Sequence, residues 1–184
     1  MTSLHTFSRS PRGPVLALLA CAALLGGCAT PTTHEAMVPT GFTAVKKHPQ
    51  TVSVQVSGGK PTESTGKPQI SDDTFAQALV QAIEQSQTFS KALQAPGGNY
   101  RLSVVIAGIE QPSFGLSFTV KMEAGWTLKR ADTGATVWQE SIQSEHTVSA
   151  TEAFAGVTRL RMATEGAARN NIAKGLGKIS ELSL

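Results

Sequence analysis

"LSFTVKMEAGWTLK", residues 116–129, is the stretch on which the reading of the fold turns. Leu116, Phe118, Val120, Met122, Ala124, Trp126 and Leu128 alternate without a break against Ser117, Thr119, Lys121, Glu123, Gly125, Thr127 and Lys129. Side chains along a strand point to opposite faces in turn, so this pattern predicts a long strand with one face in a core and the other in water. Downstream, "ADTGA" places Gly134 where a hairpin wants a positive φ, and "TVWQESIQSEHTVS" returns beside its neighbour with Trp138 and Ile142 in one phase. Upstream, "YRLSVVIAGIE" is almost wholly apolar and suits the middle of a sheet. Farther back, "TVSVQVS" alternates again, with Val52, Val54 and Val56 on one side.

Two helices complete the pattern. Ser71 caps the first, "DDTFAQALVQAIEQSQTFSKAL", whose opening Asp72 and Asp73 suit the positive end of the helix dipole. Its apolar positions Phe75, Leu79, Ala82, Ile83, Phe89 and Leu93 follow helical spacing, and "APGGN" stops it. The second helix runs from about Thr151 to the end, with Phe154, Val157, Leu160, Ala167, Ile172, Leu176, Ile179 and Leu182 inward. Gly156, Gly166, Gly175 and Gly177 each cost about 1 kcal/mol in a helix interior, which predicts that this helix packs closely on the sheet or on the first helix. The expected fold is α+β: a two-layer sandwich in the order β-α-β-β-β-α, with a mainly antiparallel four-stranded sheet and two helices on one face.

The first 50 residues read differently. His5, Arg9 and Arg12 precede "VLALLACAALL", an uncharged run of 11 residues from Val15 to Leu25. A membrane-spanning helix needs about 20 residues, so residues 1–27 are expected to be a secretory signal. Residues 28–50, "CATPTTHEAMVPTGFTAVKKHPQ", are rich in Thr and Pro without any period and are expected to form a flexible tether, with a reach of roughly 70 Å when extended. A segment lying along the domain surface is the other possibility for them. Residues 51–184 suffice for one domain with its own core.

Composition narrows the chemistry. Sixteen Lys and Arg stand against 13 Asp and Glu. Two of the cations, Arg9 and Arg12, fall in the signal, which leaves 14 against 13 and a formal charge of +1. No basic cluster suggests nucleic acid as a partner. Of the two cysteines, Cys21 leaves with the signal, so Cys28 has nothing to pair with. His146 is the single histidine of residues 51–184, and its neighbour Glu145 points to the other face of a strand. "GLSFT" lacks the last glycine of a nucleophile elbow. In "STGKP", Pro68 stands where a phosphate-binding loop needs Ser or Thr. Neither a catalytic constellation nor a metal-ligand set nor a cofactor motif is read from the chain, and it is expected not to be an enzyme.

Leu25, Gly26, Gly27 and Cys28 resemble the lipobox of bacterial lipoproteins. That resemblance implies cleavage before Cys28, a diacylglycerol on its sulfur, acylation of the new N-terminus and, with Ala29 next, anchoring in the outer membrane facing the periplasm. Lipobox, tether and element order together resemble small outer-membrane lipoproteins of the YajG type, the lipopolysaccharide-assembly lipoprotein and the auxiliary lipoproteins of lipid-transporting ABC systems. The implied role is a lipid-anchored, non-catalytic accessory or assembly component of an envelope complex, with a protein partner. The alternative is a carrier that binds a lipid or other amphiphile between sheet and helices. Possible partner contacts are Phe114 in the loop "QPSFG", Lys121 and Lys129 on the polar strand face, and Arg161 and Arg169, eight apart on one side of the last helix.

Overall fold

The computed structural model describes residues 30–184. The signal (1–27) and the lipobox residues Leu25, Gly26, Gly27 and Cys28 therefore lie outside the described residues. The elements are α1 (His34–Met37), β1 (His48–Ser57), α2 (Asp72–Ser86), β2 (Phe89–Leu93), β3 (Tyr100–Glu110), β4 (Ser117–Arg130), β5 (Thr136–Ser149) and α3 (Gly156–Glu181). The fold is α+β as expected, but the sheet has five strands in the order β2-β1-β3-β4-β5. It is also mixed: β1 runs parallel to both β2 and β3, while β3, β4 and β5 are antiparallel in sequence. Three helices are present among the described residues, where two were expected.

The fifth strand comes from the tail of the predicted first helix. Helix α2 stops at Ser86 because Gln87 turns into the left-handed region at φ 56°. The Ser86 hydroxyl holds the break by donating to the Ala82 carbonyl and pairing with the Thr88 hydroxyl at 2.8 Å. Phe89 and Ala92, spaced as on a helix, instead bury from an extended segment beside β1. Helix α2 supplies the crossover that parallel neighbours require, and with β1 parallel to both β2 and β3 the sheet is mixed. Strand β2 pairs along His48–Ser53 of β1 and β3 along Val52–Ser57, so the short 94–99 loop crosses from one side of β1 to the other. At that crossing Asn99 and Thr51 exchange hydrogen bonds.

The alternation in β4 holds from Phe118 to Leu128, every inward residue being buried; Leu116 precedes the strand and is 82% exposed. Strand β4 lies under α3, where two of the four glycines bring helix and sheet into contact. A Cβ on Gly175 would fall 2.6 Å from the Trp126 ring, and one on Gly166 would fall 2.0 Å from the His146 ring. Helix α3 starts at Gly156 rather than Thr151, which leaves Phe154 outside it and 96% exposed.

The expected flexible tether does not describe residues 30–50. Residues 48–50 already belong to β1, with the His48 ring buried against the Ile179 carbonyl at 3.1 Å. Residues 32–46 form a strap along α3. Thr33 N donates to Glu165 Oε1, Arg169 Nη1 donates to the Ala36 carbonyl, and Val45 N donates to Ser180 Oγ. Lys46 Nζ donates to the carbonyls of Glu181 and Leu182, where a cation suits the negative end of the helix. Met37, Val38 and Ala44 are buried beneath the strap. These apolar residues hold it down, and the surrounding Thr and Pro conceal them in the sequence.

Candidate interaction surfaces

Helices α2 and α3 cover one face of the sheet. The other face carries the odd-numbered side chains of β4 and β5. Lys121 lies opposite Glu110 on β3 and Glu145 on β5, Thr119 and Thr147 share a hydroxyl hydrogen bond of 2.8 Å, and Ser141 Oγ donates to Glu123 Oε1 at 2.7 Å. Lys129 sits beside Arg101 at the far end. Lys121 and Lys129 are both exposed on this polar, open face, as expected.

Strand β5 forms one edge of the sheet, and α3 blunts it. Lys174 Nζ donates to the Gln143 carbonyl at 2.9 Å and Asn170 Nδ2 to the Glu145 carbonyl at 2.8 Å, so acceptors that an added strand would use are occupied. Behind them lies a buried polar network. Trp126 Nε1 donates to Asn171 Oδ1 at 2.9 Å, Asn171 Nδ2 donates to the Ile142 carbonyl at 2.8 Å, and Ser144 Oγ donates to the Ala167 carbonyl at 2.8 Å. Ser144, the serine in phase with His146, is thus fastened to backbone rather than to the imidazole.

His146 is half-buried against Gly166. Burial pushes its pKa below the ordinary value, the positive Arg169 adds to this, and the Glu152 carboxylate opposes it. The folded chain therefore favours the neutral ring. As pH falls through about 6.5 the unfolded chain takes up the proton first, so this group's contribution to stability is complete above that pH and is lost below it. Glu165 acts in the opposite direction: burial raises its pKa against the pull of Thr33 N, Arg161 and Arg169, so acid relieves its cost. Thermal unfolding at pH 7.5 and 5.5 is expected to show a larger loss on acidification in the native chain than in His146→Gln. Equal losses would remove His146 from the account.

Arg161 and Arg169 do lie on one side of α3, but both are engaged within the chain. Arg161 pairs with Glu165 at 3.7 Å and Arg169 holds the strap. Phe114 is 89% exposed rather than tucked into the core. Leu116 and Phe154, which the sequence reading placed in the core, join it outside. Arg159 Nη2 donates to the Gly115 carbonyl and Nη1 to the Ala153 carbonyl, so one guanidinium, stacked 4.6 Å over the Phe118 ring, fastens the loops that carry all three side chains. The sequence offered only a partial signal for these exposures: each residue stands next to Gly, Ser or Ala, but Leu116 continues the alternation and Phe154 the helical spacing. Among the described residues no three His, Cys, Asp or Glu side chains group as metal ligands.

No family model and no curated protein matches the sequence. Solved structures do share its fold. A protein from Xanthomonas campestris assigned to the family model DUF330 aligns over 82% of this chain and 91% of its own, at TM-score 0.56 and 14% identity. Uncharacterized lipoprotein B from Nitrosomonas europaea aligns over 77% and 91%, at TM-score 0.53 and 14% identity. At such identity the likeness establishes a common architecture.

Proposed function

We propose that the chain is exported, cleaved before Cys28 and anchored by acylation of that cysteine in the outer membrane, facing the periplasm. There it acts as a non-catalytic accessory or assembly component of an envelope protein complex. The lipobox supports the anchor, and the fold shared with a protein named as a lipoprotein agrees with it. The filled interior carries the choice of role. Trp126, Phe75, Leu79, Leu102, Ile172 and Leu176 are fully buried between helices and sheet. An amphiphile would need that space, whereas a protein partner needs only the polar sheet face with Lys121 and Lys129, which is open.

Crosslinking in cells followed by pull-down tests the reading, with the intact chain run beside Cys28→Ala. A defined envelope protein is expected with the anchored form, lost or weakened without the anchor, and reduced by Lys121→Glu with Lys129→Glu. Lipid recovered with no enriched protein would instead assign the chain to carriage.

A further inference from the structure

The start of the strap and the exposed apolar loops lie at one end of the molecule, that of the α3 N-terminus. The strap meets α3 at Glu165 through Thr33, at Arg169 through Ala36 and at Ser180 through Val45. It therefore runs in the same direction as the helix, and traced upstream it heads for the helix start at Gly156. Thr32 is buried, with its hydroxyl donating to the Gln69 carbonyl at 2.8 Å. Cys28 precedes Thr32 by four residues in the sequence, and four residues span at most about 14 Å. Nine residues of helix from Glu165 back to Gly156 cover about the same length.

At that end stand Phe114, Leu116 and Phe154, exposed by 89, 82 and 96% and held together by Arg159. Lys67 Nζ, through the Gln111 carbonyl and Ser113 Oγ, and Gln111 Nε2, through the Pro68 carbonyl, join the Phe114 loop to the segment that receives Thr32. We infer that this tip docks into the bilayer interface, with Phe114, Leu116 and Phe154 entering the boundary between headgroups and acyl chains. The inference rests on the proposed acylation of Cys28. An anchor within about 14 Å of Thr32 keeps the domain against the lipid surface, so the three side chains act as further apolar contacts beside the acyl chains. Three large apolar groups exposed together on fastened loops are unusual for a surface facing only water.

The test uses the full-length lipoprotein reconstituted in phosphatidylethanolamine/phosphatidylglycerol vesicles with brominated acyl chains. Phe114→Trp and Val45→Trp are compared; Val45 is exposed and lies at the opposite end, by Ser180. After subtraction of native Trp126 and Trp138 emission, quenching at 114 is expected to be at least twofold that at 45, and to fall when Leu116→Ser and Phe154→Ser are added. Equal quenching on a chain whose intact mass shows the acyl groups would overturn the docked tip and leave the anchor standing. A chain without acyl groups would overturn the anchor and this inference with it. An unquenched Phe114→Trp whose site crosslinks to protein in cells would hand the tip to a protein partner.

Discussion

Gly175→Val is expected to cost about 3 kcal/mol or more, the upper range for overpacking, and to lower the thermal midpoint by roughly 10 °C. A Cβ at this position meets Trp126 Cη2, Cζ2 and Cε2 at 2.6, 2.6 and 2.7 Å, so one added carbon already collides with three ring atoms. The ring cannot yield, because it is fully buried and Asn171 holds its Nε1. The helix must lift instead, which opens its contact with β4 and β5. Gly166→Ala provides the contrast. Its Cβ would lie nearer still, 2.0 Å from His146 Cδ2, but that ring is only partly buried and can turn toward water. The helix also gains about 1 kcal/mol from alanine, so the net change at 166 is expected to stay below about 1 kcal/mol. With His146→Ala added, Gly166→Ala should be neutral or stabilising. Denaturant unfolding of the four chains checks this order, and a well-tolerated Gly175→Val would show that the helix sits less tightly than described.

Asn171→Ala comes second, at about 3 kcal/mol. Asn171 is fully buried and serves the Trp126 indole on one side and the Ile142 carbonyl on the other. Its removal leaves a buried donor and a buried acceptor without a partner, each at a cost of about 1–3 kcal/mol, and a small void as well. The paired change Asn171→Leu with Trp126→Phe removes donor and side-chain partner together and should recover much of the loss. A double-mutant cycle read by chemical denaturation measures the coupling. Additive losses would mean that the indole N–H finds another acceptor.

The long strand β4 was legible because its pattern has a single physical source: one face is buried and the other wet from Phe118 to Leu128. The α+β layering followed from it, as did the close approach of α3 at its glycines. Strand β2 was not legible. Phe89 and Leu93 fit a helical period, and the break at Gln87 is made by a residue that carries no local signal of a turn. The parallel pairing of β1 with β2 was hidden with it, whereas that of β1 with β3 belongs to the strand-helix-strand order that the sequence did show. In the strap, Met37, Val38 and Ala44 are too few and too irregularly spaced to show a period, and the two helices that the strap packs on, α2 and α3, both lie far downstream. Of the candidate contacts, Phe114, Lys121 and Lys129 are exposed. Arg161 and Arg169 were read from their spacing alone, which locates a helix face but does not reveal that a strap from elsewhere in the chain lies on it.

That strap also fixes the order in which the domain can be completed. Thr33, Val45 and Lys46 find their partners 132, 135 and 135 residues later in the chain. The strap emerges first and α3 last, so these residues wait for the whole domain to follow before the helix that receives them is present. Through that interval α1 has α2 to pack on but lacks α3, and the segment nearest the anchor is the first made and the last secured. The closing turn of α3, through Ser180 and Glu181, thus acts as the latch for both termini, and a chain ending a few residues early would have its head and its tail loose at once.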